Sequence, residues 1–310
     1  MALAGRNVTV IGAGIGGLAA ALALSRRGAR VTVLEQAPAI SEVGAGIQIT
    51  PNGAAVIEAL GLGPALGAAA LPNTAVHLHD GRSGRTVLRL DLNRAGLASG
   101  YFLIHRADLI ALLEWAARAA GVTLRLGCRV ERMVHGRRGC TLALEGGETL
   151  ETSLAVSADG LHSRARRALN PSAEPFFTGQ VAWRATIPES DGRRAPEAAV
   201  FMAPGRHVVS YPIRGGRLRN LVAVEERTSW TEEGWHHRDD PERLRRAFSG
   251  FGGPVPGWLG AVETLHVWGL FRHPVAERWH DSRALVLLGD AAHPTLPFLA
   301  PGANMALEGA

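Results

Sequence analysis

Four groups of residues in this 310-residue chain have types and spacings that could do chemistry. Gly12, Gly14 and Gly17 follow a short apolar run, Val8 to Ile11, and open a helix-periodic stretch from Ile15 to Arg27 that Gly28 stops. A second run, Arg30 to Leu34, ends at Glu35. In a strand-turn-helix-strand unit the first glycine permits the tight turn, the second lets a diphosphate reach the backbone, and the third lets helix pack on strand. The helix N-terminus offers N–H groups to phosphate, and Glu35 is placed for ribose hydroxyls. The unit points to a dinucleotide without separating NAD from FAD. Asp159-Gly160 and Gly289-Asp290 each follow a predicted strand, Leu154 to Ser157 and Arg283 to Leu288, where open α/β sheets place ligands. His207 and Tyr211 are four apart on another predicted strand, so both fall on one face.

The elements that must position these residues are legible around them. Thr50-Pro51 opens a helix to about Leu60, with Gly61 as its stop. The glycine-rich loop before it, Gly44-Ala45-Gly46-Ile47-Gln48, is expected close to a ligand. Ala107 to Ala120 reads as an amphipathic helix preceded by Arg106, either a phosphate ligand or an exposed surface arginine. Strands are predicted at Ser83 to Leu92, Val122 to Leu126, Arg129 to Val134, Cys140 to Leu144 and Thr149 to Val156. A second sheet is expected from Phe176 to Ile187, Val200 to Met202, His207 to Ile213 and Leu218 to Val224, then a helix capped by Asp239-Asp240-Pro241 and running to about Ser249.

The net charge is +5, and all 33 basic residues are arginine. They are scattered, with short clusters at Arg137-Arg138 and Arg164 to Arg167, so a solvated, ion-paired surface is expected and no nucleic-acid partner. No apolar stretch approaches a membrane span, and no charged leader precedes the first strand, which makes the cytoplasm the expected address. Cys128 and Cys140 read as buried structural thiols. His236-His237 lack a convincing ligand set, and no metal is assigned. Trp183, Trp258 and Trp268 are expected in the core, and His293 is expected to hold its turn.

Taken together, the motifs resemble the class A flavoprotein aromatic hydroxylases, nearest the salicylate and 3-hydroxybenzoate branch, across essentially the whole chain. That resemblance implies a Rossmann-like α/β FAD-binding domain, 1–174 and 276–310, interleaved with a smaller mixed-sheet substrate domain, 175–275. It implies FAD held by Gly12, Gly14, Gly16, Gly17, Glu35, Gln36, Gln48, Arg106, Val130, Asp159 and Asp290. Ser163 and Arg166, with Asp159-Gly160, resemble a segment shared with nicotinamide binding. Val181 to Arg184 and His207 to Gly216 resemble the salicylate-hydroxylase branch, and Arg184 either lines the pocket or pairs with a carboxylate. NADH or NADPH would reduce the flavin transiently, O2 would add at flavin C4a, and the hydroperoxide would hydroxylate a small phenolic or aromatic acid.

For such chemistry the helix beginning at Pro301-Gly302-Ala303-Asn304 would turn its N–H groups toward the flavin pyrimidine. His207 and Tyr211 would be the catalytic pair. With ordinary pKa values near 6.5 and 10, histidine suits the base and tyrosine an orienting relay, the other reading being that both satisfy local hydrogen bonds. Pro301 stands where similar enzymes often carry Gln or another polar residue. Gly309 follows Glu308 where an acidic residue is usual. The final helix has about two turns before Ala310, shorter than the family's C-terminal part. Two alternatives follow: an FAD oxidoreductase or epoxidase on a non-phenolic substrate, and a catalytically silent FAD-binding remnant. A homodimer is compatible with either.

Overall fold

The computed structural model describes residues 3–40, 45–136, 139–171, 174–189, 195–230, 234, 237–298 and 300–310. Gly44, Arg137-Arg138 and His236 lie outside the described residues. Two large sheets organise the chain. The first has five parallel strands in the order Leu285–Leu287, Leu154–Ser157, Asn7–Ile11, Arg30–Leu34, Thr123–Arg125. Its central strand is buried from Val8 to Ile11, as expected for a parallel strand covered on both faces. Helix Ile15–Arg26 crosses over one face and packs against helices Arg106–Ala119 and Pro301–Glu308.

Register brings the three turn motifs together. Ile11 pairs with Ser157 and Ser157 with Leu287, so three strands end side by side. Backbone bonds tie the ends: Ala158 N–H donates to Ile11 O, and Leu288 N–H donates to Ser157 O, both at 2.8 Å. The chain leaves Asn7–Ile11 in one direction to Arg30–Leu34 and finds Leu154–Ser157 on the other side, the switch point at which open sheets bind ligands.

The second sheet has eight strands, ordered His237–Arg238, His266–Arg272, Phe176–Pro188, Leu218–Glu226, Arg206–Ile213, Ala198–Ala203, Ala75–Asp80 and Thr86–Asp91. It is antiparallel except where Ala198–Ala203 meets Ala75–Asp80. One face carries Trp183, Phe201, Val208 and Leu221, buried under Leu244, Phe248 and Leu259 from helices Pro241–Ala247 and Val255–Gly260. Asp240 caps the first of these as expected, its carboxylate accepting from Glu242 N–H. The other face carries Ala182, Val222, Val224 and Trp268 and is met by Leu296 and Phe298.

Several predicted elements change shape. Thr149 to Val156 is two strands, Thr149–Thr152 and Leu154–Ser157, because the chain passes at Ser153 from a three-stranded meander to the parallel sheet. Ser83 to Leu92 shortens to Thr86–Asp91, since Asp80 caps a turn by accepting from the Ser83 backbone and hydroxyl. The second sheet draws its last two strands from 75–91, outside 175–275. Gly46–Ile49 is a strand paired with Phe102–His105 rather than an open loop. Cys140 is buried, whereas Cys128 is half-buried. Trp183 and Trp268 are buried as expected, and Trp258 packs against the core on the Trp183 face of the eight-stranded sheet.

Candidate functional site

The glycine turn is built as the spacing demands. Gly12 has φ +100°, and a Cβ there would lie 2.4 Å from Ala158 O. A Cβ at Gly17 would lie 2.0 Å from Gly12 O, so the helix meets its own turn too closely for any side chain. Gly16 fits against Ala306 of the last helix, with Cβ space limited to 3.2 Å. Gly14 is different: nothing lies within 4 Å of a Cβ placed there. Three glycines therefore serve packing, and the fourth opens onto free space at a helix N-terminus, where a diphosphate would be received.

Glu35 closes the turn from the second strand, one carboxylate oxygen accepting from Ala13 N–H at 2.8 Å and the other from Ala37 N–H at 2.9 Å. Each oxygen keeps a lone pair for a ribose hydroxyl. Gln36 beside it is exposed. The Val130 side chain is buried in the core with Leu34 and Leu144, which leaves only its backbone to meet a nucleotide. Asp159 is held by the Ser157 hydroxyl and by Arg164 N–H.

Asp290 faces solvent yet is surrounded by protein, and this crowding pushes its carboxyl above the ordinary aspartate range. Coulombic interaction with Arg106, His293 and His273 acts in the opposite direction. Arg106 is the first residue of helix Arg106–Ala119, close enough for its charge to be felt at Asp290. His293 is buried, meets Trp279 at a tilt with ring centroids 5.1 Å apart, and its backbone N–H donates to Gly289 O, which fits the turn-holding role expected of it.

Helix Pro301–Glu308 begins after Ala300, whose left-handed φ of 57° aims its first turn. Asn304 is 2% exposed, and its side chain is fully used: Oδ1 accepts from Thr50 N–H, and Nδ2 donates to Gln48 O and Ala300 O. A cofactor contact from Asn304 would thus come from its backbone, as from Gly302 and Ala303. What the side chain does is fasten the helix to strand Gly46–Ile49.

The inner face of the eight-stranded sheet carries the candidate chemistry. On Arg206–Ile213, alternation puts His207, Val209 and Tyr211 on this face, as the spacing predicts. Phe298 approaches His207 with ring centroids 5.8 Å apart. Burial lowers the His207 imidazole below its ordinary value, so it is neutral at pH 7 and able to accept a proton. Burial raises the Tyr211 phenol, which stays protonated. Tyr211 hydrogen-bonds with Gln48, and Tyr101 donates its hydroxyl to Gln48 Oε1 at 2.6 Å. Sequence reasoning missed Tyr101. The available signal was that the chain has only two tyrosines, and both meet on one glutamine. Gln48 therefore sits with its side chain on the sheet side. Gly46 allows this approach: its N–H donates to Asn220 Oδ1 at 2.8 Å, and a Cβ there would lie 2.6 Å from the Tyr211 ring.

A second region adjoins Asp290. A cavity of about 260 Å³ is lined by residues that include His162, Ser163, Arg166, Arg167 and His273. Arg166 is 4% exposed; it donates to Pro274 O, and its Nη1 is buried without a hydrogen-bond partner among the described residues. No group of histidine, cysteine and carboxylate side chains suited to a metal occurs among the described residues.

Comparison with known proteins agrees with this geometry. The family model for an FAD binding domain matches residues 6–310. The chain is 37% identical to the 3-amino-4-hydroxybenzoate 2-monooxygenase of Streptomyces cremeus, covering 97% of this chain and 76% of that protein. It is 35% identical to the 3-hydroxybenzoate 6-hydroxylase of Polaromonas naphthalenivorans, with the same two coverages of 97% and 76%. HpxO of Klebsiella pneumoniae, solved with FAD and uric acid, superposes with a TM-score of 0.85 at 26% identity, covering 97% of this chain and 77% of that one. With an open glycine turn, an acidic second strand end and Asp290 at one switch point, the chain belongs to the FAD-binding-domain family, as an FAD-dependent monooxygenase of the class A aromatic hydroxylase type.

Proposed function

We propose that this chain hydroxylates the ring of a phenolic acid at the expense of NAD(P)H and O2. The observation that carries the reading is His207, a neutral, half-buried imidazole on the sheet face toward Phe298. When bound, FAD would take two electrons from NAD(P)H and use them to activate O2 for transfer of one oxygen atom to the ring. The protein's part is narrower. Gly12 to Gly17, Glu35, Arg106 and Asp290 would hold the cofactor, and the N–H groups of Gly302 and Ala303 would favour negative charge on its pyrimidine side. Leu296 and Phe298 cover apolar sheet residues and exclude water. His207 accepts the phenol proton, which makes the ring electron-rich, while Tyr211 orients the substrate.

The reductant would dock at the Arg166 cavity, where a buried guanidinium with a donor left unpaired among the described residues suits a phosphate of the nicotinamide nucleotide. The two free thiols suit a reducing cytoplasm. Among the described residues no helix is long and apolar enough to cross a membrane.

The test is to measure flavin content after loading with FAD, then follow NADH and NADPH oxidation with a panel of hydroxybenzoates while quantifying ring product and peroxide. Ring product formed in step with reductant consumption is expected. A chain that takes up no flavin from excess FAD would overturn the reading, and peroxide alone with every phenol would remove the hydroxylase part. Asp290 gives a separate check. Because its folded pKa is raised, ionisation costs stability as pH climbs through that value, so Asp290→Asn leaves the cofactor-free chain at least as stable at pH 7. The same change weakens FAD binding. Melting temperature without FAD and flavin titration measure the two effects, and a less stable cofactor-free variant would contradict the assignment.

A further inference from the structure

We propose that strand Thr86–Asp91, at one edge of the eight-stranded sheet, docks a second copy of this chain, the two strands pairing antiparallel about a two-fold axis at Leu90. The two edges of that sheet differ. One ends in His237–Arg238, a two-residue strand that offers almost nothing to pair with. The other ends in a six-residue strand without proline, and no further strand pairs with it among the described residues. Five of its six residues are exposed, which makes it a template for another strand.

Register decides which of its groups face outward. Leu92 N–H donates to Thr74 O at 3.0 Å, so the backbone groups of Leu92 point into the sheet. Alternation turns those of Leu90 and Leu88 the same way, and those of Asp91 and Arg89 outward. The ladder with Ala75–Asp80 is regular as far as the pair Leu78–Leu88 and then shifts, leaving Val87 out of register. The regular edge therefore runs from Leu88 to Leu92, and its centre is Leu90.

The side chains follow the same alternation. Leu88 pairs with Leu78, Leu78 with Val200 and Val200 with Val209, so the apolar inner face continues to the edge. There Leu88 is 54% and Leu90 48% exposed. Arg89 and Asp91 fall on the opposite face, ion-paired to each other at 2.7 Å, and Arg89 also reaches Glu197 at 3.0 Å. A lone edge charge would repel a copy of itself, but this arginine is balanced by two carboxylates of its own chain.

These charges select the occupant. A two-fold axis at Leu90 sets each Arg89 directly opposite the Asp91 of the other copy, and the four side chains alternate in sign around a square. Across the axis each Arg89 N–H donates to an Asp91 carbonyl and each Asp91 N–H to an Arg89 carbonyl. The Asp91 carbonyl already accepts from Ala95 N–H and has a second lone pair for this bond. The two Leu90 side chains meet in the closely spaced, non-hydrogen-bonded pair. Moving the axis one residue to Arg89 would instead set arginine against arginine. The axis stands perpendicular to the sheet, so both apolar inner faces lie on the same side and join.

The experiment is sedimentation velocity of the FAD-loaded chain from about 1 to 100 μM, with the association constant as the readout. A reversible monomer–dimer equilibrium is expected for the wild type. Arg89→Asp and Asp91→Arg each set like charges opposite one another on both sides of the axis and weaken the dimer about tenfold or more. An equimolar mixture of the two variants recovers association to within about threefold of the wild type, because every reversed residue then faces its opposite. Leu90→Lys sets two ammonium groups together at the axis without touching either ion pair, and leaves monomer alone. A wild type that stays monomeric throughout would overturn the proposal and leave the edge to an extended segment of a different protein. A dimer that survives Leu90→Lys or both single charge reversals would place the contact elsewhere and overturn it too, as would a mixture that associates no better than its components.

Discussion

Gly14→Val is expected to give a folded chain that no longer holds FAD. A Cβ at position 14 meets nothing within 4 Å, and the backbone there is extended with φ −72° and ψ −179°, a conformation that valine adopts without strain. The substitution therefore adds no clash within the protein. It fills the space in front of the first-turn N–H groups, where the diphosphate must approach to hydrogen-bond distance. Flavin affinity should fall at least about 100-fold, the loss of two or more charge-assisted hydrogen bonds, while the cofactor-free melting temperature stays within a few degrees. Gly17→Ala provides the contrast. Its Cβ would lie 2.0 Å from Gly12 O, a backbone atom that cannot move aside without opening the turn. That variant loses stability by about 3 kcal/mol or more and loses flavin as a consequence. Flavin absorbance after gel filtration, paired with thermal unfolding without cofactor, separates the two. If Gly14→Val unfolds as readily as Gly17→Ala, the open space at Gly14 has a structural role and the cofactor argument fails.

His207→Asn is expected to retain bound FAD and lose ring hydroxylation by about 100- to 10,000-fold in kcat, the range for removing a general base. Reductant consumption should then run largely to peroxide. The pH profile adds a sign. Burial lowers the imidazole pKa, so the wild type keeps its proton acceptor at neutral pH and loses it only on the acid side, below the ordinary value near 6.5. Product formation should decline as pH falls through that limb, and the limb should vanish in His207→Asn. Stability has the same sign. The unfolded chain protonates first, so this residue's contribution is present above about pH 6.5 and is lost as pH falls toward the folded value. A variant that hydroxylates at wild-type rate with an unaltered acid limb would remove His207 from the chemistry.

The parts of the site that the sequence displays are those in which one residue type has a single physical use. Gly12, Gly17 and Gly28 mark turns because positive φ or a close approach excludes other residues, and Asp240-Pro241 marks a helix start because cap and first-turn proline act locally. His207 and Tyr211 share a face because strand alternation is local too. What could not be read is assembled across long separations. Gln48, Tyr101 and Tyr211 come from three different strands or strand ends, and nothing in the spacing of 48, 101 and 211 announces that they meet. Asn304 read as a cofactor residue because its neighbours face the site, yet its buried amide serves Thr50, Gln48 and Ala300. The strand Ala75–Asp80 escaped notice because His77, His79 and Asp80 dilute its apolar alternation. Two of these are stabilised by local stacking: His79 lies 4.4 Å from Phe201 and 5.5 Å from His77 between ring centroids.

The side-by-side ends of Asn7–Ile11, Leu154–Ser157 and Leu285–Leu287 also govern when the protein can become functional. Each parallel pairing joins segments separated by more than a hundred residues, and such loops lose chain entropy before any contact rewards them. The glycine turn can fold early with its own helix. The acid at Asp290 reaches it only when Leu285–Leu287, which follows Leu154–Ser157 by more than a hundred residues, docks on that strand. Capture of the cofactor is thus a late event of folding, and a nascent chain exposes the paired edge of Leu154–Ser157 until that strand arrives. Added FAD should speed only the final phase of refolding and leave the earlier phases untouched.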